Sequence, residues 1–299
     1  MMTLLQASPP AEHGAAATPA GAHGAAAADA HGAAEAGAHG AANTVDIVHH
    51  LADANYLDFP PFGRVPLPQF HLFGIDLSIT KYVVFMWLAA ALMLLVFLPM
   101  ARRRGRVATG HYNLFEALLV YVRDEIVSNN IGKEDGKPYV PFIATLFFFI
   151  LFMNLLGLVP YGATPTSNLA VTAGLALFAM IAIEASGLIV NGPVRYAKSL
   201  IPEGLPIFLA PIMIPIEIIG HFAKPFALMI RLFANMTAGH VVILSLLGLI
   251  FVLQSWFVVP ISIAFTLFIF LLEILIAFIQ AYIFSVLTAV FIQLTRHPH

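Results

Sequence analysis

A single arginine, Arg231, lies in the middle of an apolar segment that runs from residue 205 to residue 253. An arginine at the centre of a membrane-spanning helix costs about 2.5–3.5 kcal/mol on insertion scales, and simulations give larger values. Its side chain must therefore face protein, water or a counter-charge, which makes it a candidate functional residue. The alternative is a structural ion pair with Glu184, Glu217 or Glu273.

Further polar residues share the face of the helix that carries Arg231. At 100° per residue, Glu217, Lys224 and Asn235 lie within about 40° of the arginine. His240 lies about 180° away from it, on the opposite face. Unless a proline distorts the helix, the arginine and the histidine therefore address different partners. Lys224 has a second explanation as a residue that reaches the membrane interface.

The last apolar segment, residues 257–294, has its own polar stripe. Thr266, Glu273 and Gln280 are seven residues apart and share one side of a helix. If the two segments pack antiparallel, His240 can meet Glu273 or Gln280. A buried histidine–glutamate pair can relay protons, because each partner adjusts the pKa of the other. The alternatives are a core histidine and interhelical hydrogen bonds that play no part in transport.

The composition indicates a polytopic membrane protein. The 299-residue chain is 60% hydrophobic and 10% charged, whereas soluble domains carry about 25% charged residues. The absence of cysteine excludes disulfides and thiolate chemistry. With a net charge of −2, the chain offers no basic groove, and we expect no nucleic-acid partner.

The hydropathy pattern predicts an all-α fold with about five membrane crossings and one interfacial helix at residues 111–130. At 1.5 Å per residue the last two crossings would measure about 70 and 55 Å, which exceeds a hydrocarbon core of about 30 Å. They must therefore form a strongly tilted or bent hairpin. The predicted crossings are residues 81–99, 140–159, 169–190, 205–253 and 257–294.

The N-terminal part has a different composition. Residues 1–43 are Ala/Gly/His-rich and predict a disordered tail, with weak metal or proton binding by its histidines as the alternative. Residues 44–80 predict an extracytoplasmic region with an amphipathic helix at 44–62, followed by a loop or hairpin. Residues 81–299 form the transmembrane domain. We expect no cleavable signal peptide, because no long apolar stretch follows the first residues.

The basic residues predict the orientation in the membrane. Most of the 14 basic residues fall in loops on one side, which the positive-inside rule places in the cytoplasm. The N-terminus is then extracytoplasmic and the C-terminus cytoplasmic. The residues on the cytoplasmic side are Arg102, Arg103, Arg104, Arg106, Arg123, Lys133, Lys137, Arg195, Lys198 and Arg296.

The segment IRLFANMTAGH at residues 230–240 resembles the signature of subunit a of F-type ATP synthases. Segments 139–160, 164–177, 215–232 and 270–292 also resemble this family, as does VHHLADA at 48–54. The resemblance covers roughly residues 44–293. It implies proton transport through two offset half-channels against a rotating c-ring, which couples the proton gradient to ATP synthesis.

The same resemblance implies roles for single residues. Arg231 matches the essential arginine, which holds a passing ring carboxylate ionised and blocks a leak between the half-channels. His240, Glu273 and Gln280 match positions that line the proton path. Many members carry a carboxylate where this chain has His240 and a histidine where it has Glu273, so the two types are exchanged here. The proton-translocation residues are therefore predicted to be Arg231, His240, Glu273, Gln280, Asn235 and Glu217.

The resemblance also implies the partners of the chain. They are the c-ring subunits, the b subunits of the peripheral stalk, the other ATP synthase subunits and the lipid membrane. We expect a non-catalytic subunit with no catalytic residue, no cofactor and no metal. It should lie in a bacterial inner membrane. Arg231 should lie near the middle of the membrane and face the neighbouring ring. The partner ring would select the coupled ion, H⁺ or Na⁺, and we take H⁺.

Two other classes of protein compete with this interpretation. An intramembrane metalloenzyme would use His221, His240 and Glu273, but these lack the close spacing of metal ligands and no HExxH motif occurs. A self-contained secondary transporter would show internal repeats, which we find only in the Ala/Gly/His tail. Copurification with a ring and soluble ATPase subunits would separate the three.

Overall fold

The protein is a bundle of long helices preceded by two small hairpins. Its computed structural model describes residues 56–59, 63–66, 71–72, 75–76, 80–102, 110–159, 162–199, 210–253 and 255–296. Within these residues lie the helices α1 (Lys81–Arg102), α2 (His111–Tyr121), α3 (Val140–Gly157), α4 (Leu169–Ser199), α5 (Ala210–Leu253) and α6 (Val258–Arg296).

The segment before α1 forms strands where the sequence predicted part of a helix. Strand β1 (Tyr56–Phe59) pairs antiparallel with β2 (Gly63–Pro66), and β3 (His71–Leu72) pairs with β4 (Ile75–Asp76). The amphipathic helix predicted over 44–62 is therefore wrong at its C-terminal end, because aromatic residues favour strands and the following prolines cannot continue a helix. The rest of that helix and the 1–43 tail lie outside the described residues.

Within the described residues, five helices are long and apolar enough to cross a membrane, which confirms the predicted class. They are Lys81–Arg102, Lys137–Gly157, Leu169–Val194, Ile219–Ile250 and Val258–Arg296. The sequence predicted that the fourth crossing starts at residue 205. Helix α5 is described from Ala210 onward, and residues 200–209 lie outside the described residues.

The helix predicted at 111–130 is present, and it changes type halfway. After Tyr121 it continues as a π-helix over Val122–Ser128. In this π-helix Val122, Ile126 and Val127 are buried and join the apolar core. The helix therefore packs one side on the bundle, and its place at the membrane interface stays a prediction.

Helix α3 is the centre of the bundle. It is apolar around its whole circumference, as expected for a helix with protein on every side. Ile143, Phe148, Ile150 and Met153 are all buried. It contacts α1 on one side and α6 on another. This core fixes α6 and, through it, the polar residues that α6 carries.

Helices α5 and α6 form the predicted long hairpin. Their 44 and 39 residues correspond to about 66 and 59 Å. Both exceed the thickness of the hydrocarbon core, so they must tilt or bend. Pro215 and Pro225 lie inside α5 without ending it. The outward faces are apolar and exposed, with Phe222 and Phe226 on α5 and Leu267 on α6.

Helix α4 bends sharply near its C-terminal end. Gly192 has φ 72° and ψ 162°, which are not helical values, and Pro193 follows it. Only glycine adopts such a conformation without strain. The residues after the bend therefore return toward the preceding turns of α4.

Candidate functional site

Arg231 lies in α5 between two histidines, ten residues after His221 and nine before His240. Its side chain is half-buried and makes no ion pair or hydrogen bond with any residue that the structure describes. Two candidates for an internal ion pair contact the histidines instead, Glu184 with His221 and Glu273 with His240. The arginine therefore has no carboxylate partner at either position.

The third candidate partner of Arg231 was Glu217. Its backbone lies in α5, but its side chain lies outside what the structure describes. Its predicted part in proton transport therefore stays a prediction. Lys224, on the same stripe, has its Nζ atom 5.3 Å from the ring centre of Phe291 on α6. This cation–π contact anchors the lysine in the helix pair.

Glu273 and His240 meet where α5 packs on α6. Nδ1 of His240 lies 3.6 Å from Oε1 of Glu273, so the contact that the sequence predicted is present. The side chain of Glu273 is 1% exposed, and neither of its oxygens has a hydrogen-bond partner among the described residues. An ionised carboxylate buried in this way is costly. The pair is therefore a candidate for proton uptake and release.

Gly239 brings the two helices close enough for this contact. A Cβ atom at Gly239 would lie 2.6 Å from Oε1 of Glu273, which is closer than real Cβ atoms approach. Any larger residue would have to push the carboxylate aside. The glycine next to His240 is therefore part of how the pair is built.

The other ring nitrogen of His240, Nε2, is hydrogen-bonded to Oγ1 of Thr164. Thr164 lies in the connection between α3 and α4, and a Cβ atom at Gly157 would overlap its side chain. In the same connection Thr166 donates a hydrogen bond of 2.6 Å to Oδ1 of Asn154. The loop is thus held tightly against α3, and it places a hydroxyl on the histidine. Sequence reasoning missed Thr164, because no local pattern links residues 76 positions apart.

Asn235 and Gln280 form a second contact across the hairpin. Nδ2 of Asn235 donates a hydrogen bond of 2.8 Å to Oε1 of Gln280. Because Asn235 precedes His240 while Gln280 follows Glu273, the helices run antiparallel, as predicted. Of the two partners considered for His240, the structure selects Glu273 rather than Gln280.

Besides Glu273, the other two members of the polar stripe on α6 also have unsatisfied atoms. Gln280 is 1% exposed, and its Nε2 atom has no hydrogen-bond partner among the described residues. The same holds for Oγ1 of Thr266. Buried polar atoms without partners are costly and call for an explanation such as water or a functional role. The interior of the hairpin therefore contains unused hydrogen-bonding capacity along the predicted stripe.

A second histidine–glutamate pair lies on the other side of Arg231. Nδ1 of His221 is 2.8 Å from Oε1 of Glu184 on α4. The hydroxyl of Tyr196, beyond the bend of α4, donates to Oε2 of the same carboxylate. The sequence analysis assigned no transport role to His221 or Tyr196, because their contact depends on the bend and on the packing of α4 against α5.

These contacts suit proton chemistry. Within the described residues, no three His, Cys, Asp or Glu side chains lie close enough together to hold a metal ion. The described polar groups instead form paired contacts before and after the arginine, Glu184 with His221 and Glu273 with His240. Such an arrangement can pass protons toward and away from a fixed positive charge.

The chain is similar in sequence to known proteins of one family. Residues 83–293 match the family described as ATP synthase A chain. A protein named ATP synthase subunit a from Chloroherpeton thalassium is 47% identical over 253 residues, which cover 83% of this chain and 75% of the relative. The subunit a of Myxococcus xanthus is 49% identical over 228 residues, 74% of each chain. A subunit a of Prosthecochloris aestuarii is 48% identical over 258 residues, 84% of this chain and 79% of the relative.

Proposed function

We propose that this chain, which belongs to the ATP synthase A chain family, moves protons past Arg231 through two half-channels that open on opposite sides of the membrane. The chain is the proton-translocating stator subunit of the membrane sector, and it works in a complex with other ATP synthase subunits. The observation that carries the proposed role of Arg231 is its half-buried position in an apolar helix, without an ion pair to Glu184 or Glu273. A cation placed in this way has its charge available for a group on another subunit.

His240 and Glu273 take up the proton on the entry side. The carboxylate of Glu273 is buried. Thr164, in the loop between α3 and α4, holds the ring of His240 by a hydrogen bond. The proton passes from this pair to a carboxylate on the rotating ring. Arg231 then stabilises the ionised form of that carboxylate by opposite charge and prevents a direct leak.

Asn235, Gln280 and Glu217 complete the path. The hydrogen bond between Asn235 and Gln280 holds α5 and α6 in register near Arg231. The unpartnered amide nitrogen of Gln280 gives the path a further polar group. Glu217 lies on the same predicted face as the arginine, on the side of His221, and we assign it to proton exit.

The outer surface of α5 near Arg231 suits a helical partner. Ala227, Ala234 and Ala238 are exposed there, and small residues allow the backbones of membrane helices to approach closely. We propose that the c-ring packs on this surface, and that the b subunits of the peripheral stalk hold the chain elsewhere. The chain has no catalytic role of its own, and ATP chemistry takes place on other subunits.

The protein is a multi-pass membrane protein with bacterial relatives. We place it in the inner membrane with its N-terminus extracytoplasmic and its C-terminus cytoplasmic. The concentration of basic residues in loops on one side supports this orientation. The entry pair, next to the loop with Thr164, then faces the extracytoplasmic side.

Inverted membrane vesicles that contain the complete complex test this function. We expect Arg231→Ala to abolish ATP-driven proton pumping while the complex stays assembled and hydrolyses ATP. Arg123→Ala is the matched control, because Arg123 is exposed and bonded to its neighbour Asp124. Unchanged pumping in Arg231→Ala would show that the arginine is structural.

A further inference from the structure

The second cluster, formed by Glu184, Tyr196 and His221, is not explained by the entry pair. We propose that Glu184 and His221 carry protons from the ring toward the cytoplasmic surface, with Tyr196 as a positioning residue for the carboxylate. This inference rests on the function proposed above, since it needs an exit path. Both oxygens of Glu184 are hydrogen-bonded, one to the histidine and one to the tyrosine.

The position of the cluster suits an exit path. Along α5, His221 lies about 15 Å before Arg231 and His240 about 14 Å after it. Around an ideal helix, His221 is about 80° and His240 about 180° from the arginine. The two pairs thus differ both in depth and in the face of the helix that they occupy. Two half-channels offset about a central cation need such an arrangement.

The cluster is held by two specialised glycines. The bend at Gly192, with φ 72°, turns the chain so that Tyr196 comes back to Glu184. A Cβ atom at Gly187 would lie 2.8 Å from the ring of Tyr196, so the ring packs directly on the backbone of α4. Asn191 donates to the carbonyl oxygen of Thr295 at 2.9 Å and anchors the bend to α6.

Exposure of the carboxylate distinguishes this cluster from the entry pair. The side chains of His221 and His240 are both 20% exposed, but Glu184 is 32% exposed and Glu273 is 1% exposed. Glu184 therefore has exposed surface from which the proposed path can release a proton. Burial, and then the hydrogen bond to Glu184, raise the pKa of Tyr196 above its usual range, so the phenol stays a donor.

The proposed transfer has three steps. His221 accepts a proton released by the ring at one ring nitrogen, and its other nitrogen, Nδ1, gives a proton to Oε1 of Glu184. Glu184 then releases that proton to water on the cytoplasmic side. The histidine returns to its original tautomer before the next transfer, and Tyr196 keeps its own proton throughout.

The alternative role for this cluster is that of a structural clamp, which only holds the bend of α4 in place. Asn191→Leu is the matched control for this alternative. This change removes the anchor of the bend without touching the carboxylate. We compare it with Glu184→Ala, Glu184→Gln and Glu184→Asp in vesicles of the complete complex, measuring ATP-driven pumping and ATP hydrolysis. Millimolar formate is added as a probe, because a small carboxylate can replace the missing one.

We expect Glu184→Ala and Glu184→Gln to lower pumping by about a hundredfold, the low end of what one positioned proton-transfer group contributes. Formate should partly restore pumping in Glu184→Ala, Glu184→Asp should stay active, and Asn191→Leu should pump nearly normally. Tyr196→Phe should fall between wild type and Glu184→Ala, and should respond to formate less than the alanine variant does. Formate is also tested on wild type and on Arg231→Ala, so that a general effect on the proton gradient is recognised.

Two results would overturn the inference. One is normal pumping in Glu184→Gln. The other is an equal loss in Asn191→Leu and Glu184→Ala without rescue by formate, which would assign the cluster to a clamp. If Arg231→Ala abolishes pumping while Glu184→Gln leaves it intact, only the exit path is wrong. If Arg231→Ala pumps normally, the proposed function itself fails.

Discussion

The two histidine–glutamate pairs on either side of Arg231 use the same residue types in opposite settings. Glu273 is 1% exposed, lies 3.6 Å from its histidine and has no hydrogen-bond partner among the described residues. Glu184 is 32% exposed, lies 2.8 Å from its histidine and accepts a second hydrogen bond from a tyrosine. We call the Glu273 pair the dry pair, because its carboxylate is buried, and the Glu184 pair the wet pair, because its carboxylate is partly exposed. The carboxylate of the dry pair is loosely held, and that of the wet pair is tightly held.

This difference separates two tasks that a proton path must perform. A buried carboxylate without hydrogen bonds is costly when ionised, so the Glu273 pair favours taking up a proton. Glu184 has a hydrogen bond on each oxygen and part of its side chain exposed, which suits the Glu184 pair to passing a proton on. The direction of transport still depends on the gradient across the membrane. The asymmetry suits the two pairs to the proposed entrance and exit.

Exchanging the members of the dry pair is the strongest way to test this contrast. We expect His240→Glu alone and Glu273→His alone each to lower ATP-driven pumping by about a hundredfold, because each leaves two groups of one type. The double variant should recover to within about tenfold of wild type, since the contact across the hairpin is kept. Pumping in inverted vesicles, normalised to ATP hydrolysis, measures all three.

The same exchange in the wet pair is the control for this result. His221→Glu with Glu184→His breaks the hydrogen bond from Tyr196 to the carboxylate, so we expect it to recover less than the exchange in the dry pair. Equal recovery of the two double variants would contradict the contrast between a loosely held and a tightly held carboxylate. No recovery in either would show that the residue types are not interchangeable here.

The sequence was sufficient to predict the dry pair and the membrane crossings. Long apolar runs identify membrane helices because lipid leaves few other solutions for the backbone. Glu273 and Gln280 are seven residues apart on one helix face, so an antiparallel neighbour had to bring His240 close to one of them. Local periodicity therefore predicted a tertiary contact, because only one helix pair was involved and its turn is short.

The wet pair could not be predicted from the sequence in this way. Glu184 and His221 are 37 residues apart, and their contact depends on how α4 packs against α5, while the contact of Tyr196 depends on the bend at Gly192. The strand Tyr56–Phe59 and the π-helix Val122–Ser128 were missed for a similar reason. Each depends on pairing or packing with another segment, and neither leaves a regular hydrophobic period.

Gly239→Ala should affect the dry pair while sparing the fold. The added Cβ atom would lie 2.6 Å from Oε1 of Glu273, and the carboxylate has to move away from His240. Because a flexible side chain absorbs the clash, the stability cost should stay near the low end of the roughly 1–3 kcal/mol typical of overpacking. We expect pumping to fall by about tenfold, which corresponds to a rise of about 1.4 kcal/mol in the free-energy barrier to proton transfer.

Gly220→Ala is the matched control for Gly239→Ala, because it lies in the same helix and a Cβ atom there meets nothing within 4 Å. It should pump normally and gain up to about 1 kcal/mol of helix stability. The thermal stability of the purified complex and its pumping rate are measured together. A loss of pumping in both variants, or in neither, would contradict the proposed role of the close approach.

Gly192→Ala should give the smallest effect on pumping and should act on the wet pair alone. The residue has φ 72° and ψ 162°, a conformation that essentially only glycine adopts, so an alanine there costs on the order of 1–3 kcal/mol. The strain loosens the bend that returns Tyr196 to Glu184 but leaves both proton-carrying side chains in place. We therefore expect a stability loss of about 1–3 kcal/mol and a pumping loss well below that of Glu184→Gln. Gly174→Ala in the same helix, where a Cβ atom also meets nothing within 4 Å, should pump normally and gain up to about 1 kcal/mol of helix stability. If Gly192→Ala lowered pumping as much as Glu184→Gln does, the bend itself would control exit, and the carboxylate would be a secondary feature of it.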